Sequence, residues 1–304
     1  MCVLSLGFLG NAQSDKETRK VKHVVVLGFD GLSPNGLLNV NTPTFDKLML
    51  EGSFSLHARA VLPTDSSPNW ASMIMGASPA QHGITSNGWE VDDHVLSPVV
   101  EDASGIFPTI FNIVHKQIPD SKIGVIYDWG GFGRLFEKWA VDYDVNPADE
   151  NETVEMACAY IEENKADLTF VHFDHIDHAG HKYGHGSPEY YKAIEKADQF
   201  LKQIMNSIKK ANMENETLVI VSSDHGGKGK GHGGETMGEM EIPFIIWGKG
   251  VKKNHEIIHT VYQYDNAATV AFALGVKQPW AWIGRPVKTA FEGYELEDDH
   301  PLKK

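Results

Sequence analysis

The sequence is poor in cysteine and has no long apolar run. Only two cysteines occur among its 304 residues. Cys2 lies in an N-terminal stretch that export would remove, and Cys158 alone cannot form an intramolecular disulfide. The fold therefore cannot depend on disulfide bridges, as small secreted modules often do. Because no apolar run is long enough to cross a bilayer, we expect no transmembrane segment.

Basic residues are too few for a protein that binds a nucleic-acid backbone. Lys and Arg together number 27 against 41 Asp and Glu, which gives a formal net charge of -14 at pH 7. Binding to a nucleic-acid duplex would need a basic face, so we expect no such partner. A small anionic substrate is not excluded, because bound metal ions can reverse the local potential of a pocket.

The N-terminal residues, MCVLSLGFLGNAQSDKETRK, are typical of an export leader. A short apolar stretch ends in small residues and a polar run follows, although the basic start of a signal peptide is missing. We predict a leader over residues 1–20, a signal peptide with a truncated start, and hence a secreted or periplasmic protein. The alternative is an ordinary N-terminus. Residues 21–304 show no repeat, low-complexity linker or boundary, so one domain is predicted there.

Apolar runs that suit buried strands alternate with helical patterns along the chain. The runs are bounded by glycine or aspartate, and the helical patterns repeat apolar residues at three- and four-residue spacing. The predicted strands are residues 24–27, 122–129, 168–175, 217–224 and 243–248, and the clearest helices are residues 152–165 and 188–211. This alternation predicts an α/β fold with a mostly parallel central sheet and helices on both faces.

Aspartates follow three of the predicted strands. Asp30 and Asp224 end two of them, and a third runs into Asp177. One such residue is usually a loop or cap aspartate. Three of them, two with histidines close by, favour a metal centre at the carboxyl edge of the sheet, where working groups gather in such folds.

Residues 171–187, VHFDHIDHAGHKYGHGS, contain five histidines. Asp177 and His181 are four residues apart, so a short helix after the strand would place both on one face, as two ligands of one ion. For the other histidines a structural or solvent-facing role is the better interpretation. These are His172, His175, His178 and His185.

The glycine-rich segment DHGGKGKGHGG supplies the remaining candidate ligands. His225 directly follows Asp224, and the glycines allow a turn that brings His232 round. Three aspartates and three histidines suffice for two ions, most naturally Zn²⁺, although other divalent metals would also fit.

The segment PTDSSPNWASM predicts the start of a helix. Ser66 or Ser67 would be the cap, Pro68 would stand in the first turn, and residues 69–75 would form the helix. Capping alone would explain these serines. A hydroxyl at a helix N-terminus beside a metal is also where an alkoxide would be stabilised, so Ser66 is a candidate nucleophile.

Taken in order, these motifs resemble the alkaline phosphatase superfamily, and within it the nucleotide pyrophosphatase/phosphodiesterase branch. The matching segments run over residues 22–285 and are LGFDG, PTDSSPNW, GASPAQHGI, ITSNGW, DHAGH, SDHGG and GHGG. The resemblance implies an alkaline-phosphatase-like three-layer sandwich and a di-zinc phosphodiesterase that works through a phosphoserine intermediate.

The resemblance also implies a role for each matching residue. Ser66 matches the nucleophile, and Asn87 matches the asparagine that binds a phosphoryl oxygen. One zinc ion would be held by Asp30, Asp224, His225 and the Ser66 oxygen. The other would be held by Asp177, His181 and His232. The implied substrate is a small phosphate ester, a diester or a nucleotide.

The chain departs from the branch at the helix start. Ser67 stands where an aromatic residue would stack on a nucleobase, and Trp70 replaces a frequent histidine, so nucleotide preference is open. The segment IYDWGGFGRLFEKW holds Trp129, Phe132 and Arg134, which we interpret as a pocket wall for an organic substituent.

Three functions other than phosphodiester hydrolysis could use a metal site of this kind. A sulfatase would need an arginine that SSPNW lacks. A phosphomonoesterase on the same site is the second choice, since Lys182, Lys228 or Lys230 could reach the extra phosphate charge. A non-catalytic metal-binding protein would explain the histidines and carboxylates, but not Ser66 and Asn87 in the same order. The sequence does not indicate an oligomeric state.

Overall fold

An eight-stranded sheet forms the centre of the computed structural model, which describes residues 18–295. Residues 1–17 of the predicted leader lie outside this range. The strands are β1 His23–Phe29, β2 Ser53–Arg59, β3 Ile123–Tyr127, β4 Tyr143–Val145, β5 Leu168–Phe173, β6 Thr217–Ser222, β7 Glu241–Gly248 and β8 His255–Glu256. Their order is β4-β3-β5-β1-β6-β7-β2-β8.

The sheet is mostly parallel, as predicted. The strands β4, β3, β5, β1 and β6 pair in parallel, whereas β7 is antiparallel to both β6 and β2. Together with the helices, this sheet confirms the predicted α/β fold class. Among residues 18–295, no helix is both long and apolar enough to cross a membrane.

Ten α-helices surround the sheet in the described range. They are α1 Pro34–Leu38, α2 Pro43–Glu51, α3 Ser66–Met75, α4 Pro79–His82, α5 Ile110–Gln117, α6 Glu150–Asn164, α7 His175–Tyr183, α8 Pro188–Lys210, α9 Met237–Met240 and α10 Asp265–Leu274. The two helices predicted most clearly are therefore α6 and α8, and each begins behind a side-chain cap, Asp149 and Ser187.

Two hydrophobic clusters lie on the two faces of the sheet. Val24 and Val26 of β1 belong to the cluster under α3, α5 and α10, whereas Val25 and Leu27 belong to the cluster under α2, α6 and α8. Because successive strand residues point to opposite faces, a strand covered on both sides must be apolar at every position. This arrangement explains the continuous apolar run in β1.

The helix α3 begins earlier than the sequence analysis predicted. Ser66 is its first residue and Asp65 occupies the N-cap position, so the prediction of a serine cap is wrong. All ten residues of α3 are buried, and the helix ends at Gly76, whose φ of 58° suits glycine. The helix lies close to β1 because Gly28 has no side chain: a Cβ there would lie 2.4 Å from the Trp70 ring. The start of α3 is thereby fixed over the sheet.

Candidate metal centre and active site

The three central strands deliver the predicted acidic residues to one edge of the sheet. The strands β5 and β6 flank β1 in parallel, with Phe29 paired to Phe173 and Gly28 paired to Ser222. The segments that follow these strands therefore emerge side by side. They carry Asp30, Asp177 and Asp224.

Asp30, Asp224 and His225 form one compact, buried group. One candidate ligand atom from each lies within 4.8 Å of the others. The His225 Nε2 atom is 3.4 Å from Asp30 Oδ1 and 3.1 Å from Asp224 Oδ2. The Ser66 Oγ atom is 3.3 Å from the same His225 Nε2 atom. Four side chains that the sequence analysis assigned to one site thus lie together.

Asp177, His181 and His232 form a second group beside the first. Asp177 and His181 lie on one face of α7, with His181 Nε2 3.1 Å from Asp177 Oδ2. The His232 Nε2 atom is 3.1 Å from His181 Nε2 and 3.9 Å from Asp177 Oδ2. Their candidate ligand atoms also lie within 4.8 Å of one another.

The three histidines of these groups share one orientation. Each has its Nδ1 atom on a backbone carbonyl: His181 on Lys230 O at 2.9 Å, His225 on Gly226 O at 2.7 Å, and His232 on Thr64 O at 2.8 Å. Since a carbonyl only accepts, each Nδ1 atom carries a hydrogen. Each Nε2 atom therefore faces its group and could donate a lone pair to a cation.

Three carboxylate oxygens in the two groups are buried without a hydrogen-bond partner in the described part of the chain. They are Asp30 Oδ1, Asp177 Oδ1 and Asp224 Oδ2. Burying an uncompensated charge is costly, so a protein rarely keeps such atoms without a cation nearby. The donor set of aspartate and histidine fits divalent transition metals.

The protonation of the first group reflects this crowding of charge. Burial and then the charges of Asp30 and Asp177 raise the pKa of Asp224 well above its ordinary value. For Asp30, burial acts in the same direction, but hydrogen bonding to His172 and the charges of His225 and His172 lower its pKa to about 2. One carboxylate is thus held ionised while its neighbour resists ionisation.

In the second group, the pKa of His181 is raised. The side-chain hydrogen bond to Asp177 raises the pKa of His181 to about 9, against the effect of burial. A proton on His181 Nε2 would occupy the same place as a metal ion between this nitrogen and Asp177.

Sequence reasoning missed a third acidic group at the same edge. Asp30, Asp174 and Asp177 also place one oxygen each within 4.8 Å of the others. Burial and the charge of Asp30 raise the pKa of Asp174 to about 7. The available signal was its position directly after β5, which matches that of Asp30 after β1.

Two buried side chains lie behind Asp30. The Trp70 Nε1 atom donates to Asp30 Oδ2 at 3.0 Å. His172 lies between Asp30 Oδ2, at 3.6 Å, and Asp128 Oδ1, at 3.4 Å. His172 is fully buried in the sheet, as predicted.

The other histidines of the tract also stay outside the two groups. The His175 Nε2 atom contacts Ala193 O at 3.1 Å, and His178 is exposed. His185 has its Nε2 atom 3.7 Å from Asp177 Oδ1. None of these histidines belongs to the metal-compatible groups found within residues 18–295.

The predicted phosphoryl-binding asparagine lies at the start of α3. The backbone N–H of Ser67 donates to Asn87 Oδ1 at 2.7 Å, so Asn87 lies next to the N-terminus that carries Ser66. Arg134 contacts both Ser67 Oγ and the backbone carbonyl of Asn87. The interpretation of Phe132 as pocket wall is wrong, because its ring is fully buried and stacks on Phe170 in the core.

A family model matches most of this architecture. Residues 24–230 match the type I phosphodiesterase/nucleotide pyrophosphatase model. This range contains the strands β2 to β6, all of β1 except His23, and every member of the two groups except His232.

The chain is similar to two human proteins. It is 28% identical over 182 residues to the catalytic subunit of GPI ethanolamine phosphate transferase 3 from Homo sapiens, which covers 56% of this chain and 16% of that protein. It is 22% identical over 236 residues to bis(5'-adenosyl)-triphosphatase ENPP4 from Homo sapiens, covering 74% of this chain and 51% of that protein. The chain thus spans at most about half the length of these curated relatives.

The fold is also that of a solved structure. An inactive variant of murine ectonucleotide pyrophosphatase/phosphodiesterase 5 in complex with AMP superposes with a TM-score of 0.71 at 16% identity. The match covers 85% of this chain and 96% of that chain.

Proposed function

The chain belongs to the type I phosphodiesterase/nucleotide pyrophosphatase family, and on this premise we propose that it hydrolyses small phosphodiesters at a di-zinc site with Ser66 as the nucleophile. One observation carries the proposal beyond membership. The Ser66 hydroxyl lies 3.3 Å from His225 Nε2, at the first residue of a helix and beside a buried aspartate group. A serine that only caps a helix would not need these neighbours.

Two divalent ions fit the two groups of side chains. We assign one zinc ion to Asp30, Asp224, His225 and Ser66 Oγ. We assign the other to Asp177, His181 and His232. When bound, two such ions supply Lewis-acid stabilisation of the attacking and leaving oxygens of an in-line displacement. The three partnerless carboxylate oxygens and the three inward Nε2 atoms support this assignment.

Ser66 performs the first displacement. Its Oγ atom gives up the hydroxyl proton to solvent water and attacks phosphorus, so that an Oγ–P bond forms as the bond from phosphorus to the leaving oxygen breaks. The leaving oxygen takes up a proton from water. The N-terminus of α3 stabilises the oxygen while it carries negative charge, because the first N–H groups of a helix have no partners within it. Water then attacks the phosphoserine, which releases the phosphorylated product and restores the hydroxyl.

Asn87 stabilises the negative charge on a non-bridging phosphoryl oxygen in the transition state. Its Oδ1 atom is held by the Ser67 N–H, and its side-chain amide is exposed beside the nucleophile. A preorganised donor of this kind contributes on the order of 10²–10³ in rate.

The relatives and the residue after Ser66 bear on the class of substrate. The name of the human ENPP4 relative specifies a dinucleoside triphosphate, and the murine structure contains AMP, so a nucleotide phosphodiester is the first choice. In this chain Ser67, a small residue, follows Ser66, so base stacking would have to involve another side chain. We therefore propose a diester without specifying the base.

The test compares turnover of three aryl esters by the zinc-loaded protein: bis-p-nitrophenyl phosphate, p-nitrophenyl phosphate and p-nitrophenyl sulfate. We expect the diester to be hydrolysed fastest and Ser66→Ala to abolish its hydrolysis while zinc remains bound. Ser72→Ala is the matched control, since it removes a buried hydroxyl from the same helix whose bonds go to Pro68 O and His82. This control should keep its activity at 25 °C.

Each other outcome rejects a different part of the proposal. A preference for the monoester would retain the site but replace the diester by the second choice, a phosphomonoesterase. Near-normal activity of Ser66→Ala would reject Ser66 as the nucleophile. Zinc binding without turnover of any ester would favour a metal-binding protein without catalytic activity.

A further inference from the structure

Arg134 lies beside the proposed active site, although neither metal-compatible group includes it. It ends a short 3-10 turn, Phe132–Arg134, that follows β3. Its side chain is 24% exposed, and its Nη1 atom pairs with Glu90 Oε1 at 2.7 Å. Its Nη2 atom donates to the Asn87 carbonyl and to Ser67 Oγ, the latter at 3.3 Å. One guanidinium therefore joins the Asn87 loop to the start of α3.

The orientation of the Asn87 amide follows from its neighbours. Because the Ser67 N–H can only donate, the Asn87 atom that faces it at 2.7 Å must be the carbonyl oxygen Oδ1. The Nδ2 group consequently points away from α3. Within residues 18–295 it has no hydrogen-bond partner, so it is free to donate to a substrate oxygen.

The segment that carries Asn87 has little packing of its own. Residues 85–88 are all exposed, although Ile84 and Trp89 on either side of them are buried. Arg134 contacts this segment at two points, the Asn87 carbonyl and the Glu90 carboxylate. Two contacts from a planar guanidinium fix the direction of a loop better than one contact from a flexible side chain.

The donors of Arg134 are directed at protein groups. A guanidinium has two hydrogens on Nη2, and Asn87 and Ser67 accept both. The Nε atom is buried and without a partner among the described residues. The ion pair with Glu90 offsets the positive charge. This geometry suits the fixing of a loop better than the binding of an anionic substrate.

We propose that Arg134 is a positioning residue that holds Asn87 so that its Nδ2 group faces the transferred phosphoryl group. The inference rests on the proposed role of Asn87 in ester hydrolysis. Arg134 touches no reacting atom and acts only through Asn87 and Ser67. Its loss should therefore lower kcat with little change in KM, because an interaction present mainly in the transition state is weakened.

The test is a double-mutant cycle with bis-p-nitrophenyl phosphate. Arg134→Met should lower kcat about 10- to 100-fold, since a displacement of about 1 Å near a reaction centre can cost about 10² in rate. In the Asn87→Ala background the same change should cost less than about threefold, because the group that Arg134 positions is already missing. Lys138→Met is the control: it removes a cation from the same segment, one that contacts Tyr127 and Asp144 instead.

The proposal would be overturned if the loss of kcat in the double variant equalled the product of the losses in the two single variants. That result would mean that Arg134 contacts the substrate independently of Asn87. A loss for the monoester much larger than that for the diester would overturn it too, since direct binding should depend on substrate charge. Should Arg134→Met fail to fold, the same cycle with Glu90→Ala applies. That change removes the partner of Nη1, so the loss should again vanish without Asn87.

The cycle separates this inference from the proposed function. A wild-type protein that hydrolyses no phosphate ester would contradict the function itself. Normal turnover by the wild type, combined with multiplicative losses in the variants, would contradict only the role given to Arg134.

Discussion

Replacing Gly31 by alanine should perturb the second metal-compatible group from the opposite side of the site. Gly31 follows Asp30 and has a φ of +69°. A Cβ atom there would lie 2.8 Å from Asp177 Cβ and 2.9 Å from both Asp177 Cα and Oδ1. Ordinary contact begins at 3.4 Å, so the gap is short by about 0.6 Å. Because one of these atoms is backbone, the start of α7 has to move.

Two effects should follow from Gly31→Ala. The left-handed backbone alone should destabilise the protein by about 1–2 kcal/mol. The displaced Asp177 should in addition weaken zinc binding to the second group by about 10- to 100-fold, the range typical when a ligand loses its proper support. Gly250→Ala isolates the first effect, since Gly250 has a φ of +76° and nothing within 4 Å of the new Cβ.

The assay is a zinc titration against a competing chelating dye, with thermal unfolding in parallel. In the metal-free state Gly31→Ala should lose more stability than Gly250→Ala, because it adds a clash with Asp177 to the backbone strain. Only Gly31→Ala should bind its weaker zinc ion more loosely than the wild type. Equal zinc affinity and stoichiometry in the two variants would refute the reasoning. It would mean either that α7 adjusts without moving the carboxylate or that Asp177 is not a ligand.

Two further predictions concern buried side chains near α3. Trp70→Phe removes the N–H that donates to Asp30 Oδ2 at 3.0 Å, so it should destabilise the protein by about 1–3 kcal/mol. In the same titration it should weaken zinc binding about 10-fold or more. An unchanged zinc affinity would contradict the role of Trp70 in orienting Asp30. Burial lowers the pKa of His82 to about 3, against a hydrogen bond that raises it. Because the folded pKa lies below the unfolded value of 6.5, His82 contributes stability that is present above pH 6.5 and is lost as the pH falls toward 3. Between pH 8 and pH 5 the wild type should therefore lose about 2 kcal/mol of unfolding free energy, whereas His82→Gln should lack this loss. Urea unfolding at both pH values measures the difference. The same pH dependence in the two proteins would reject the role given to His82.

The sequence predicted best those helices and strands whose apolar residues form a clear local pattern. The long helices α6 and α8 and the four buried strands β1, β3, β5 and β6 were all found within a few residues of their bounds. The edge strands β4 and β8, of three and two residues, were missed. They are too short for a pattern and are held by hydrogen bonds to neighbouring strands. The strand β2 was also not predicted, although polar and apolar residues alternate in the first part of its segment SFSLHAR.

The candidate site was predicted in part because its residues stand in recognisable local contexts. Aspartates at strand ends and the spacing of Asp177 and His181 indicated two groups, and the structure brings those side chains together. Their binding of zinc stays a prediction. Asp174 was not assigned to the site, because an aspartate after a strand is individually common. Arg134 was predicted only as part of a pocket wall, and its contacts with Asn87 were not predicted.

The sequence by itself determined the alternation of strands and helices, the apolar character of β1 on both faces and the set of residues able to bind metal. These features depend on patterns within about ten residues of chain, where period and spacing are enough. Only the tertiary structure decided that β5 and β6 flank β1, that Trp70 supports Asp30 and that Arg134 reaches Asn87 across 47 positions of sequence. Such contacts depend on strand order and on packing between distant segments, which no local pattern specifies.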